Sequence, residues 1–487
     1  MIPNIKKTKS RGNMKKRVWI TAIILLAIVI IGGAVFYSWH VKKSAEQKDA
    51  QHPALPIPAV LKDTNPDPDV ADFTLTAQHG KKEFIAGKTS TTYGYNGNYL
   101  GPVIRVRKGE KVNMTVKNDL KEVTTVHWHG LLVPGSADGG PHNTILPGKT
   151  WKVSFTVSQQ AATLWYHPHP MGKTGEQVYK GLAGLIYVDD QNSEKLDIPK
   201  DYGKNDFPLV LQDRRFTKNG QLSYKLDMND QVFGFQGTTE LVNGVIQPQL
   251  TVKRGLVRLR ILNGSNGRTY NLHLSGNQTF TQIASDGGFL ASPVKMKKLT
   301  LSAGERAEIL VDFSKLRDGG MLQLKNGKET LMYFKVKGKY TKSYSVPRKL
   351  ATIKKIPDSK AVKTRKFVMS GMGPNVSING KQMDMNHIDE TVKLHSIEIW
   401  EIKNASTSMG TKKMVHPFHV HGVQFQILSI NGKTPPANEQ GWKDTVLVNP
   451  GDTVKVIMRF PFKGIYMYHC HILEHEDLGM MGQFEVK

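Results

Sequence analysis

Four His-x-His pairs constrain this chain more than any other feature of its sequence: His127/His129, His167/His169, His419/His421 and His469/His471. With 17 histidines in 487 residues, random placement yields only about 0.6 such pairs. On a β-strand, residues i and i+2 point to the same face, so each pair presents two imidazoles in one direction. A single buried histidine is usually a satisfied core residue. Four pairs on strands, joined by His416 and His475, read instead as metal ligands. The chain must therefore bring two early strands and two late strands together around metal.

The rest of the sequence agrees with a strand-built chain. Short alternating apolar runs such as Val103-Ile104-Arg105-Val106, Lys111 to Val116 and Leu256 to Leu262 are broken by Gly, Pro or Asn every ten or so residues. That spacing favours β-sandwiches or small barrels over βαβ units. Length alone predicts about three domains. Weak self-similarity supports three copies: Arg107-Lys108-Gly109-Glu110, Lys253-Arg254-Gly255 and Asn449-Pro450-Gly451-Asp452 each precede a Val-rich strand. Basic, aromatic-poor stretches at 191–205 and 339–366 serve as connectors, which sets domains at 69–190, 205–340 and 362–487. The middle domain holds one histidine, His273. A Pro-rich stretch at 44–68 reads as a linker.

Parity sorts the ligands. In His469-Cys470-His471 the imidazoles share one face and the thiolate points to the other. In His416-Pro417-Phe418-His419-Val420-His421, His419 and His421 share a face and His416 has the opposite parity. His416 and Cys470 can therefore meet on one side, with His475 and Met480 following Cys470 beyond a turn. Two His, one Cys and a long axial Met form the ligand set of a blue copper electron-transfer site. Eight imidazoles remain, four from each end of the chain, which suits three coppers; zinc would be satisfied with four ligands. The Cys470 tripeptide gives a short covalent route between the two centres. As the only cysteine of the chain, Cys470 also excludes an intramolecular disulfide framework and any Cys₂ or Cys₄ metal site.

The N-terminus reads as an address. Lys6, Lys7, Lys9, Arg11, Lys15, Lys16 and Arg17 precede an uncharged run from Val18 to Trp39. That run is long enough for a bilayer core, which needs about 20 residues, and no clear Ala-x-Ala follows it. An uncleaved anchor within residues 1–43 is expected, with a cleaved signal peptide as the alternative. The basic flank stays inside, so the remaining domains face the extracytoplasmic side of the cell membrane. Nine cationic residues lie at or before Lys43 with no acid among them, which leaves +17 of the formal +26 for the rest of the chain. That balance suits a setting of anionic wall or membrane polymers. No aromatic-basic motif points to nucleic acid.

His127-Trp128-His129-Gly130, His167-Pro168-His169, His416 to Gly422 and His469-Cys470-His471-Ile472-Leu473-Glu474-His475 resemble the four copper motifs of the multicopper oxidases, a family that includes laccases, bilirubin oxidases and bacterial cuprous oxidases. The likeness spans 69–487 with no ligand missing. It implies an all-β chain of three cupredoxin-like Greek-key β-barrel domains and four copper ions. By that resemblance His416, Cys470 and His475 with axial Met480 hold the type 1 copper, and His127 and His419 the type 2 copper. His129, His167 and His471 would hold one type 3 copper, and His169, His421 and His469 the other. The implied chemistry is four one-electron oxidations coupled to reduction of O₂ to two waters. Alongside Cys470, Asp138 and Glu476 are the candidate catalytic residues, since the resemblance places proton-handling acids at both positions. The plainer alternatives are a turn at Asp138-Gly139-Gly140 and a solvated Glu476.

Substrate choice rests on departures from one branch. Cuprous oxidases of the family carry a methionine-rich cover, and an acid and a methionine shortly before the first type 1 histidine. Here Met414 keeps its place, Lys412 stands where the acid would be, and Met369, Met372, Met383 and Met385 are scattered. The expectation is a laccase-like enzyme with an open site, in which phenols or aromatic amines approach an exposed edge of His475. Cu(I) oxidation for copper tolerance is the alternative. A cell-envelope or division scaffold on the same fold is the non-enzymatic reading, but that branch lacks most ligands. Copper nitrite reductase needs fewer histidines, and a copper store needs no Cys between two His.

Overall fold

The computed structural model describes residues 52–406 and 414–487. The expected anchor and Lys412 lie outside the described residues. Among the described residues no helix is long and apolar enough to cross a membrane.

Strands dominate, and they assemble into three pairs of sheets. Strands between Val70 and Asp189 form two four-stranded sheets, strands between Asp206 and Lys339 a seven- and a five-stranded sheet, and strands between Lys363 and Val486 two five-stranded sheets. Alternation drives each pairing: along Val70–Ile85, Ala71, Phe73, Leu75 and Ala77 turn inward while their neighbours face out. Each such Phe or Leu contributes roughly 1.5–3 kcal/mol on full burial. The three main cores centre on Leu75 and Val116, on Leu259 and Phe334, and on Trp400 and Phe484.

Every one of the six sheets contains one parallel strand pair among antiparallel ones, so the three pairs of sheets share a plan. That plan corrects one repeat. Gly109 (φ 93°) and Gly255 (φ 134°) occupy equivalent turns, opening Lys111–Asn118 and Leu256–Asn263. Their counterpart in the last pair is the turn at His395 (φ 62°), which opens Ile397–Asn404. Asn449-Pro450-Gly451 instead matches the turns at Gly148 and Gly304, ahead of Thr150–Thr156 and Arg306–Asp312. Turn glycines look alike in sequence because all supply positive φ.

The Pro-rich linker also differs from expectation from residue 53 onward. Leu55 is buried in the middle core and hydrogen-bonds Gln249, while Leu61 bonds Val103 in the first. The carbonyls of Pro56 and Pro58 accept from Asn243 Nδ2 and Tyr202 Oη. Proline lacks an N–H but keeps its carbonyl, so an extended Pro-rich strap can still be fastened from one side.

Five strands position the chemistry: β1 (His127–His129), β2 (Ala162–His167), β3 (His416–Val420), β4 (Thr445–Val448) and β5 (Gly464–Cys470). Three short helices assist: α1 (Thr174–Lys180), α2 (Met228–Phe233) and α3 (Leu473–Asp477). Capping-box hydrogen bonds between Asp227 and Asp230 start α2, and Gly234 (φ 79°) ends it.

Candidate metal centres

Strand register builds the first centre. β1 and β2 pair antiparallel with His127 opposite His167, and β3 and β5 pair with His419 opposite His469. The i, i+2 rule then adds His129, His421 and His471 to the same faces, and His169 follows two residues beyond His167. All eight imidazoles are buried. Across the seam between first and third sheet pairs, His127 stacks on His421 and His129 on His419, each at 3.7 Å between ring centroids.

The nitrogens of these rings divide into two kinds. Outward nitrogens are fastened: His127 Nδ1 to the Asp138 carbonyl (3.0 Å), His167 Nδ1 to the Pro168 carbonyl (2.8 Å), and His419 Nδ1 to the Asp444 carbonyl (2.8 Å). His421 Nδ1 donates to Asp138 Oδ2 (2.8 Å), His129 Nε2 to Asp444 Oδ1 (2.9 Å), and His469 Nδ1 to the Cys470 carbonyl (3.1 Å). The inward nitrogens His127 Nε2, His129 Nδ1, His167 Nε2 and His419 Nε2 have no hydrogen-bond partner, nor do His169 Nδ1 and both nitrogens of His471. His469 Nε2 lies 3.1 Å from His421 Nε2 and 3.3 Å from His169 Nε2. With the outward nitrogens holding the protons, lone pairs face one another there, an arrangement that a cation makes favourable.

Burial, reinforced by neighbouring imidazoles, holds His129, His167, His169, His419, His421 and His471 well below the ordinary histidine pKa. His469 is pushed down to about 3, chiefly by burial. Neutral imidazoles aimed inward with their protons held outward are what a metal requires. Ligand atoms of His169, His421 and His469, and of His127, His129 and His167, lie within 4.8 Å of one another. His471 sits with the second group, its ring centroid 5.0 Å from His129 and 5.5 Å from His167. His127 and His419, whose ring centroids are 5.8 Å apart, face each other across the seam.

The second centre lies behind β5. Cys470 is paired with Phe418 and turned into the third core, which also contains Met480. His416 Nδ1 is 3.3 Å and His475 Nδ1 3.7 Å from Cys470 Sγ. Their outer nitrogens are held by Ser406 Oγ (3.0 Å) and the Val232 carbonyl (3.2 Å). Met480 is tied in by its backbone, donating to the His475 carbonyl and accepting from Cys470 N–H. Burial pushes the Cys470 thiol up, whereas metal coordination deprotonates a thiol outright. A buried thiol with two imidazole nitrogens aimed at it fits a soft metal ion.

Of the acids, Asp138 holds His421 and lies 3.4 Å from His127, with its Oδ1 unpartnered. Glu476 is buried in α3 with its oxygens 3.3 Å from His169 Nδ1 and His469 Nδ1. Burial, then the neighbouring Asp477, raises its carboxyl well above the usual carboxylate range. Neither the turn nor the solvated alternative describes these two side chains.

Two expectations fail here. The edge of His475 is not exposed: the ring is fully buried, and its Nε2 donates to Val232 in α2, a segment of the middle sheet pair. The expected open site is instead covered by a helix with one methionine. Met414, the residue expected beside the site, is buried, with its carbonyl accepting from Asn404. Sequence reading also missed Asp444, Thr445 and Arg306. Arg306 and Asp444 are 138 positions apart and no spacing links them, although Arg306 meets Asp444 through two hydrogen bonds. Glu474 was missed as well; it joins α3 to the middle sheet pair through Tyr224, Asn266 and Phe235.

Three family models described as multicopper oxidase match residues 76–193, 187–320 and 351–487. The chain is 46% identical over 415 residues to "Multicopper oxidase mco" of Staphylococcus haemolyticus, covering 85% of this chain and 88% of that protein. It superposes on a laccase structure from Pediococcus acidilactici with a TM-score of 0.85 and 42% identity, covering 90% and 94% of the two chains. It is also 36% identical over 457 residues to the cell division protein FtsP of Photorhabdus laumondii, covering 89% and 92%.

Proposed function

The chain belongs to the multicopper oxidase family, and from that premise we propose that it is a laccase-type oxidase that takes electrons from phenols or aromatic amines and delivers them to O₂. The observation that carries the reading is the completeness of both ligand sets, whose inward imidazole nitrogens in the first centre either lack a partner or face only one another. When bound, the four coppers supply one-electron oxidation at the thiolate site and four-electron reduction of O₂ to water at the imidazole cage. His416, Cys470, His475 and Met480 take the single copper. His127 and His419 take the type 2 copper. His129, His167 and His471 take one type 3 copper, and His169, His421 and His469 the other.

The protein's own groups do the rest. Cys470 is covalently continuous with His469 and His471, so the thiolate centre and the cage share one tripeptide. Reducing O₂ to two waters consumes four protons. Glu476 lies beside His169 and His469, where a carboxyl can hold and pass a proton, and Asp138 orients His421. The Val232 carbonyl receives the His475 Nε2 proton, so donors meet the surface of α2 and the buried imidazole lies directly beneath it. A surface of that kind suits donors of varied shape, as expected of a laccase.

Cu(I) is the second reading, favoured by one observation. Met228 is 66% and Met372 43% exposed, and Met228 Sδ approaches within 3.9 Å of the space above Gly373, next to Met372. Two exposed methionines on neighbouring segments of the cover offer thioethers to a soft metal. Comparing kcat/KM for 2,6-dimethoxyphenol and for Cu(I) in the wild type and in Met228→Leu/Met372→Leu decides between them. Strong phenol turnover unaffected by the substitutions supports the laccase reading. Weak phenol turnover, with Cu(I) oxidation that collapses in the variant, overturns it. A chain that binds no copper and oxidises neither would stand with the division proteins. We further propose that the oxidase domains are held on the extracytoplasmic face of the membrane by the N-terminal apolar run; protease shaving of intact cells that leaves them undigested would refute this.

A further inference from the structure

We propose that Arg306 and Asp444 form a positioning clamp through which the middle sheet pair, itself without a copper ligand, sets the ring orientation of two cage imidazoles from different ends of the chain. The inference rests on the copper-oxidase reading above and extends it to residues outside the ligand sets.

Asp444 is fully buried at the start of β4 and touches both histidines. Its carboxylate accepts from His129 Nε2 at 2.9 Å, and its backbone carbonyl accepts from His419 Nδ1 at 2.8 Å. One residue thus directs His129 to present Nδ1 and His419 to present Nε2, the two nitrogens that lack any partner. These are also the rings that stack at 3.7 Å across the seam. Thr445 Oγ1, 3.2 Å from both rings, donates to Asp444 Oδ1 at 2.9 Å and braces the same carboxylate.

Arg306 supplies the counter-charge to the Asp444 carboxylate away from solvent. Its guanidinium meets both carboxylate oxygens, at 2.7 and 2.5 Å. The remaining donors are used as well: Nε on the Thr163 carbonyl, Nη1 on that of Gly304 and Nη2 on that of Asp286. Every guanidinium N–H is therefore satisfied in a fully buried site, and the fork cannot swing. Two glycines leave the room this needs. A Cβ on Gly130, immediately after His129, would fall 2.6 Å from Asp444 Oδ2 and 2.9 Å from Arg306 Nη2. A Cβ on Gly304 would fall 2.9 Å from the His471 ring. The clamp joins Thr163 and His129 of the first sheet pair, Arg306 of the second and Asp444 of the third.

A lysine at 306 keeps the charge but loses the bidentate fork, and an asparagine at 444 keeps the shape but loses the anion. The test is chelator competition on the copper-loaded, full-length protein, read as copper per chain and as the blue absorption near ~600 nm expected of a His₂Cys site. Arg306→Lys and Asp444→Asn are expected to lose cage copper at roughly 10–100-fold lower chelator concentration, the usual cost of an outer partner, while the blue band persists. Glu439→Gln is the control. It loosens the adjacent buried cluster at Lys443, which contacts no histidine, and is expected to lower the melting temperature without changing copper retention. Wild-type copper retention in both clamp variants overturns the proposal, as does equal copper loss in Glu439→Gln, which would make the pair simple interdomain glue. If either variant fails to fold, Gly130→Ala, which crowds the clamp from its open side, must show the same selective loss. A wild type without four coppers would refute the copper-oxidase reading itself, a separate outcome.

Discussion

The middle and third sheet pairs share a strand plan and bury opposite chemistry. The middle pair buries full charges that neutralise one another. Arg258 and Arg260 meet Glu308 and Asp206, and Thr163 from the first pair joins them. Lys443 reaches in from the third pair to Asp286 and Glu305. The third pair, with the first, buries imidazole rings whose inward nitrogens meet no partner or only one another. A buried charge is tolerable only with its partner, so the middle network closes on itself. A buried neutral imidazole lacks a partner until a cation arrives, so the cage stays open to metal. The same scaffold becomes a fastener or a metal centre according to whether its buried polar groups can satisfy one another.

The contrast can be broken most completely at the one thiol. Cys470→Ser is expected to abolish turnover with organic donors and to remove the blue band, because hard oxygen replaces soft sulfur. Metal analysis should fall from four coppers to about three by the same ligand argument, and wild-type turnover would show that electrons enter elsewhere. Next in size is Glu308→Gln, which leaves two buried guanidiniums short of an anion. Breaking such a pair costs about 3–5 kcal/mol, visible in denaturant titration, while the blue band remains. A change below ~1 kcal/mol would mean that the network is dispensable.

Smaller effects separate catalysis from metal binding. Glu476→Gln and Asp138→Asn are expected to lower O₂ consumption by about 10–100-fold, with copper content falling less. Normal turnover across pH in either variant would return that residue to a structural role. The mildest perturbation is acid. In the copper-free chain, folded-state pKa values are lowered, to about 3 for His469 and about 4 for His475. The unfolded chain binds the extra protons first, so this contribution is present above pH ~6.5 and is lost as pH falls toward those values. Denaturant midpoints of the copper-free protein should decline over that window and those of the loaded protein much less; parallel curves would contradict this.

Strand-borne features were the legible ones. Parity alone separated His416 and Cys470 from the paired imidazoles because a strand has a fixed period of two, and the separation follows from neighbours in sequence. Asp444 and Arg306 gave no such signal, since their partnership exists only after three sheet pairs dock. The cover over His475 was missed for a related reason: α2 carries no unusual composition, and its role depends on where Val232 lands. The Pro-rich strap failed differently. Its composition describes a stiff extended chain, and that chain happens to have acceptors within reach of Asn243 and Tyr202.

The bond from His475 to Val232 fastens a segment without metal ligands over a residue of the thiolate centre. Residues 215–238 join two strands of the middle sheet pair and supply no copper ligand, yet their helix α2 covers His475 through Val232. Under the proposed function, changes of side chain along α2 are expected to retune which reductants are accepted while the ligand geometry stays constant. On that reading, a library confined to α2 is the economical place to redesign donor preference.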